Sequence, residues 1–118
     1  MNEEIYINKI MFENIKHIDA YGDEYWEASE LQEMLGYTQW KNFNKAIRKA
    51  ISVCRRTNNS VSDNFVYFEE MMDYHLTRFA CYLIIQSCDP SKKTVALFQN
   101  YICMQTRKQE LFEKYSKK

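Results

Sequence analysis

The clearest hydrophobic pattern in the chain runs from Thr38 to about Thr57, where Phe43, Ile47, Ala50, Ile51 and Cys54 recur at helical spacing. At 3.6 residues per turn these side chains share a stripe about 100° wide, so the segment predicts an amphipathic helix with Thr38 as its cap. The opposite face is polar and of one sign: it carries Lys41, Lys45, Arg48, Lys49, Ser52, Arg55 and Arg56, and the segment holds no acid. Just upstream, Ser29 followed by Gln32 has the form of a capping box, and the short helix it opens stops at Gly36. Helix, short glycine-containing turn, helix is the order of a helix-turn-helix reader.

Elsewhere the periods differ. In KHIDAYGDEYWEA, Ile15 and Ile18 precede a Tyr-Gly-Asp-Glu turn and Tyr25 and Trp26 follow it, which predicts a short β-hairpin. Residues 1–12 read as a mobile or helical arm. After the loop TNNSVSDN, the segment FVYFEEM is a short apolar strand or turn. The run LTRFACYLIIQSC, within a helix expected from about Asp73 to Ser87, is apolar nearly all round and belongs at the centre of the domain. Cys88-Asp89-Pro90 breaks it, and a last helix is expected from about Pro90 to Tyr115. Its charged tail, residues 105–118, still places Leu111, Phe112 and Tyr115 on one side. That tail is longer than so small a domain covers, which suits either a homodimer contact through this helix or a connection to a further domain. The expected fold is α+β and predominantly helical, with a small N-terminal β-hairpin, a helix-turn-helix-like pair, an apolar central helix and a long C-terminal helix in one domain spanning 1–118.

Composition narrows the function. Two glycines and one proline are too few for a many-stranded sandwich or barrel. No segment approaches the roughly 18 apolar residues of a membrane span, and the acidic N-terminus has no apolar signal core, so a cytoplasmic protein is expected. Cys54, Cys81, Cys88 and Cys103 lack a C-x-x-C spacing and read as small core hydrophobes. The inventory of an enzyme is missing: there is no G-x-S-x-G, no glycine-rich phosphate loop and no H-E-x-x-H. His17 and His75 stand apart from each other and from any cysteine at ligand spacing, and Glu69-Glu70, being adjacent, do not share a helix face. Neither catalysis nor a cofactor or metal is expected.

A binding surface remains. The chain is formally neutral, yet residues 1–36 hold nine acids against Lys9 and Lys16, a net of −7, while residues 41–56 carry six cations and no acid, +6. A basic helix face is more often simply solvated. Six cations on one face could also meet about four to six phosphates, with strongly salt-dependent affinity. Gln39, Asn42 and Asn44 could supply base-edge hydrogen bonds. The candidate nucleic-acid contacts are Lys41, Asn42, Lys45, Arg48, Lys49, Arg55 and Arg56. DNA is the first partner to consider and a host or phage protein the second.

Two stretches carry a resemblance. YWEASELQEMLGYTQWKNFNKAIRKA and LTRFACYLIIQSCDPSKKTVALFQNYICMQTRKQEL resemble the bacterial DNA-damage-inducible protein D (DinD) family, one of the BRO-N-like domains found in phage antirepressors and large DNA virus proteins. The resemblance covers about residues 12–112. It implies a mixed, mostly helical fold, a role around DNA, and links to the damage response or prophage regulation. Trp26, Gly36 and Trp40 fall in its first block, and Arg78, Tyr82, Gln86, Asp89, Pro90, Lys92, Gln105 and Arg107 in its second. These are read as scaffold: Arg78 needs a partner if buried, and Asp89 can cap the last helix. The chain departs from the family where FVYFEEMMDYH passes straight into LTRFACY without a glycine-containing insertion, and where Ser87-Cys88 replace an asparagine-glycine. Full-length members continue past QEL, so a domain of this extent is expected to bind and obstruct rather than to act.

Overall fold

Turn chemistry sets the first hairpin. In the computed structural model, which describes residues 3–116, β1 (His17–Ile18) and β2 (Glu24–Glu27) pair antiparallel around a turn with Gly22 at φ 87°. Asp19 closes that turn by accepting from the Tyr21 and Asp23 amides at 2.8 and 2.9 Å. Before it, α1 (Glu3–Asn14) makes the described part of the N-terminal arm helical and buries Ile5, Asn8 and Phe12; residues 1–2 lie outside the described residues. After it, α2 (Ala28–Met34) ends where expected: Gly36 takes φ 82° and Tyr37 N reaches back to Gln32 O at 3.1 Å.

The expected cap of α2 is wrong. The helix begins at Ala28, and Ser29 lies inside it. The Ser29 amide and hydroxyl both donate to Asp73, at 3.1 and 2.5 Å, so a carboxylate 44 positions away fills the capping place. Thr38 likewise does not cap the next helix, α3 (Trp40–Arg56), whose N-cap is Gln39 in extended conformation without a side-chain hydrogen bond.

Asp73 itself sits in a strand where a helix was expected. After α4 (Val61–Asn64), β3 (Phe65–Phe68) and β4 (Asp73–Leu76) form a second hairpin, and β4 also pairs with β2. The sheet order is therefore β1-β2-β4-β3. Pairing on both edges holds Asp73–Leu76 extended, and Leu76 then faces the core. The central helix, α5 (Arg78–Gln86), starts only after Thr77, whose hydroxyl accepts from Ala80 N at 3.1 Å. The last helix, α6 (Lys93–Ser116), starts three residues later than expected. Asp89 caps a turn instead, accepting Ser91 N on its carboxylate at 2.9 Å and Lys92 N on its carbonyl at 3.2 Å.

The architecture is predominantly helical α+β. α5 lies at its centre, against α3 on one side, α6 on another and strands β2 and β4, while α1 packs on α6. Trp26, Phe43, Ile47, Leu76, Ile84 and Phe98 are among the fully buried side chains. Cys54, Cys81 and Cys88 are buried as core hydrophobes, but Cys103 is exposed. Arg78 finds the partners its setting demands. Its Nε and Nη2 donate to Glu24 at 2.9 and 3.0 Å, and Nη2 donates to Glu13 at 2.6 Å. The guanidinium lies 4.9 Å from the Trp26 ring centre and 5.5 Å from that of Phe12, and these rings stack at 4.5 Å. Tyr82 adds its hydroxyl to Arg78 at 3.4 Å. One guanidinium thus ties α1, β2 and α5 together.

Candidate functional site

α3 is amphipathic as its period dictates. It buries Phe43, Ala46, Ile47, Ala50 and Cys54 toward α5, with Ile51 only half-buried. Lys41, Asn42, Lys45, Arg48, Lys49, Arg55 and Arg56 are all exposed. Among the described residues no carboxylate lies within ion-pair distance of any of the six α3 cations, whereas Lys16, Arg78 and Arg107 are paired. The first turn of α3 has no acid and its N-terminus no side-chain cap, so its free amides add partial positive charge at that end.

A cleft of about 530 Å³ opens beside this end, between α3 and the turn from Ser87 to Lys92. Lys45 and Lys49 line one wall with Asn42, and Lys92 with Asp89 lines the other. The two walls are tied by Tyr37, whose hydroxyl accepts Asp89 N at 3.0 Å. Burial holds the Tyr37 phenol above its ordinary range, and burial pushes the neighbouring Cys88 thiol up to about 11, so both stay neutral. The hydrogen bond from Ser91 N holds Asp89 below the usual carboxylate range, leaving it the one fixed negative charge in a cleft lined by three lysines. Lys92 Nζ rests 4.9 Å over the Tyr37 ring. The arrangement presents cations and amides to an anionic ligand and has no nucleophile activated by a base.

The fold gathers only part of the predicted set. Asn42, Lys45 and Lys49 meet in the cleft, while Arg55 and Arg56 lie at the far end of α3, roughly 9–21 Å along its axis. Asp89 and Pro90 line the cleft, and Gly36 and Trp40 sit at the turn leading into α3. Trp26, Arg78 and Tyr82 form the interior cluster described above, on the other side of α5. Gln86 is exposed at the end of α5. Gln105 and Arg107 hydrogen-bond within their own helix, to the Tyr101 hydroxyl at 3.4 Å and Glu110 at 3.1 Å. Lys92 is the contributor that sequence reasoning assigned to scaffold; the lysine just after a Cys-Asp-Pro break was its only signal. The histidines need correction too. They are not isolated: His17 and His75 approach opposite oxygens of Glu27, at 3.7 and 3.8 Å.

Comparison with known proteins places these features in context. The sequence model of the BRO family N-terminal domain matches residues 14–112. The chain is 36% identical, over an alignment of 111 positions covering 85% of its length, to DNA damage-inducible protein D of Escherichia coli (strain K12). It spans 40% of that relative's length. No solved structure matches it. Among the described residues no helix is long and apolar enough to cross a membrane.

Proposed function

The chain belongs to the BRO family of N-terminal domains, and from that premise we propose that it is a non-catalytic regulatory module that binds DNA through the outer face of α3 and the adjoining cleft. One observation carries the reading: the six cations of α3 are exposed and unpaired with any described carboxylate, and Lys92 continues them across the cleft. Elsewhere the protein spends its arginines on carboxylates; along α3 it leaves them to solvent. Such a row exchanges condensed counterions for phosphates, which favours binding most at low salt. Asn42 and Gln39, at the mouth of the cleft, offer amides to phosphates or base edges. The name of the relative supports a setting in the response to DNA damage, and the family supports regulation by a prophage or mobile element; a cytoplasmic location fits both.

Gel-shift or anisotropy titrations of duplex and single-stranded DNA between about 50 and 200 mM salt test this. Binding that weakens steeply with salt and is lost in Lys45→Glu/Arg48→Glu, with the circular dichroism spectrum retained, supports it. Affinity unchanged by that double reversal refutes it.

A second reading, a protein-interaction module such as an antirepressor or an inhibitor of a host nucleic-acid-handling protein, is favoured by the second half of α6. No residue of α6 after Ile102 is buried, and Met104, Phe112 and Tyr115 are exposed. The same stripe would serve a homodimer. Light scattering and pull-down from nuclease-treated host lysate separate the two outcomes: a monomer that captures a specific partner and shifts no DNA at low salt favours this reading over the first.

A further inference from the structure

The solvent side of the sheet carries a cluster that the DNA reading does not use. Strand alternation places Tyr25 and Glu27 on one face of β2, opposite His17 on β1 and His75 on β4. Tyr25 is stacked between the two imidazoles, at 5.2 and 4.2 Å. Glu30, on the first turn of α2, enters from above and meets His17 Nε2 at 2.5 Å. Glu27 Oε1 lies 3.7 Å from the same nitrogen. His17, Glu27 and Glu30 therefore offer one nitrogen and two carboxylate oxygens, all within 4.8 Å of one another, from three different elements.

Two features of this cluster are unresolved by the protein's own groups. Glu27 and Glu30 set two carboxylates side by side as like charges, with oxygens within 4.8 Å of each other. On the other side of Glu27, His75 Nε2 is buried without a hydrogen-bond partner, 3.8 Å from Oε2. A dication between His17, Glu27 and Glu30 would answer both: two carboxylates balance its charge, and His75 would hold the outer oxygen of a ligating carboxylate, the usual second partner of such ligands.

We propose that His17, Glu27 and Glu30 form a binding site for a divalent first-row transition-metal ion of the zinc class, with His75 positioning Glu27. The distances suit it. Metal–ligand bonds of about 2.0–2.2 Å put tetrahedral ligand atoms roughly 3.4 Å apart. The His17–Glu27 separation is within a few tenths of that, and the His17–Glu30 hydrogen bond opens as the ion replaces its proton. An imidazole among the ligands selects against calcium and magnesium, which take oxygen. Water would fill the remaining position, as in open zinc sites.

The chain has two histidines, so each imidazole can be followed by nitrogen-15 NMR while zinc chloride is titrated into the full chain. The expected result is one ion per chain, a large shift of His17 Nε2 and a smaller one of His75. At least tenfold weaker binding is expected in His17→Asn, Glu27→Gln and Glu30→Gln, all partly exposed positions whose variants keep the fold by circular dichroism. Cys103→Ser, which removes the one exposed thiol, leaves binding intact. A His17 signal unmoved at about millimolar zinc, affinity kept in both His17→Asn and Glu27→Gln, equal affinity for magnesium, or loss of binding in Cys103→Ser would each overturn the site.

Discussion

Replacing Arg78 with Met keeps much of the apolar stem and removes the guanidinium, leaving Glu13 and Glu24 side by side without their partner. Breaking a buried ion pair from one side costs about 3–5 kcal/mol. Here Arg78, Glu13 and Glu24 keep 32%, 27% and 36% of their side-chain exposure. Water screens the orphaned carboxylates, so the expected loss is smaller, about 2–3 kcal/mol, or roughly 8–12 °C in Tm for a chain of this size. The pH dependence separates charge from packing. Hydrogen bonds from Arg78 hold Glu24 below the usual carboxylate range. A carboxyl whose pKa is depressed by folding contributes stability that is present above its unfolded pKa and lost as pH falls through the folded one. The gap between the native chain and Arg78→Met should therefore be full near pH 7 and narrow below about pH 4.3. Urea unfolding followed by circular dichroism across this range measures it. A gap that stays constant with pH would mean that Arg78 acts through its packing on Trp26 and Phe12 alone, and would refute the reasoning.

If the α3 cations neutralise phosphates, a log–log plot of DNA affinity against salt should have a slope of about −5 with all six engaged, flattening by nearly 2 in Lys45→Ala/Arg48→Ala; an unchanged slope contradicts contact through this face. Asp73→Ala removes the acceptor of Ser29 N, the Ser29 hydroxyl and Tyr74 N, and should cost about 1–2 kcal/mol in urea unfolding; a neutral result would mean that α2 caps itself. Gly36→Ala should cost about 1 kcal/mol, from φ 82° alone because an added methyl would meet nothing within 4 Å, and Gly36→Asn should cost less. A Gly36→Ala loss several times larger would show that a steric clash had been missed.

The α3 helix, its apolar stripe and its basic outer face were legible in the sequence because all three depend on spacing within one segment. The same holds for the stop at Gly36 and for the break at Asp89-Pro90. Each is a local rule: a side chain three or four positions away, a positive φ, a missing amide. Three of the four cysteines took the core positions expected of them. The second hairpin was not legible. DYHL is as compatible with a helix start as with a strand until β2 and β3 lie on either side of it, and then two ladders of hydrogen bonds settle the matter.

The candidate site divides along the same line. Its cations on α3 follow from period alone, but the cleft joins them to Lys92 across a tertiary contact, the Tyr37 hydroxyl accepting the Asp89 amide. The sequence determined the elements and the faces they present, since helical period and turn chemistry act over a few residues. Tertiary structure alone decided which distant groups meet: Asp73 with Ser29, Arg78 with Glu13 and Glu24, and His17 and His75 with Glu27. Those meetings are set by strand register and helix packing, where one residue's shift moves a side chain to the opposite face, and no spacing within a segment encodes the register between segments.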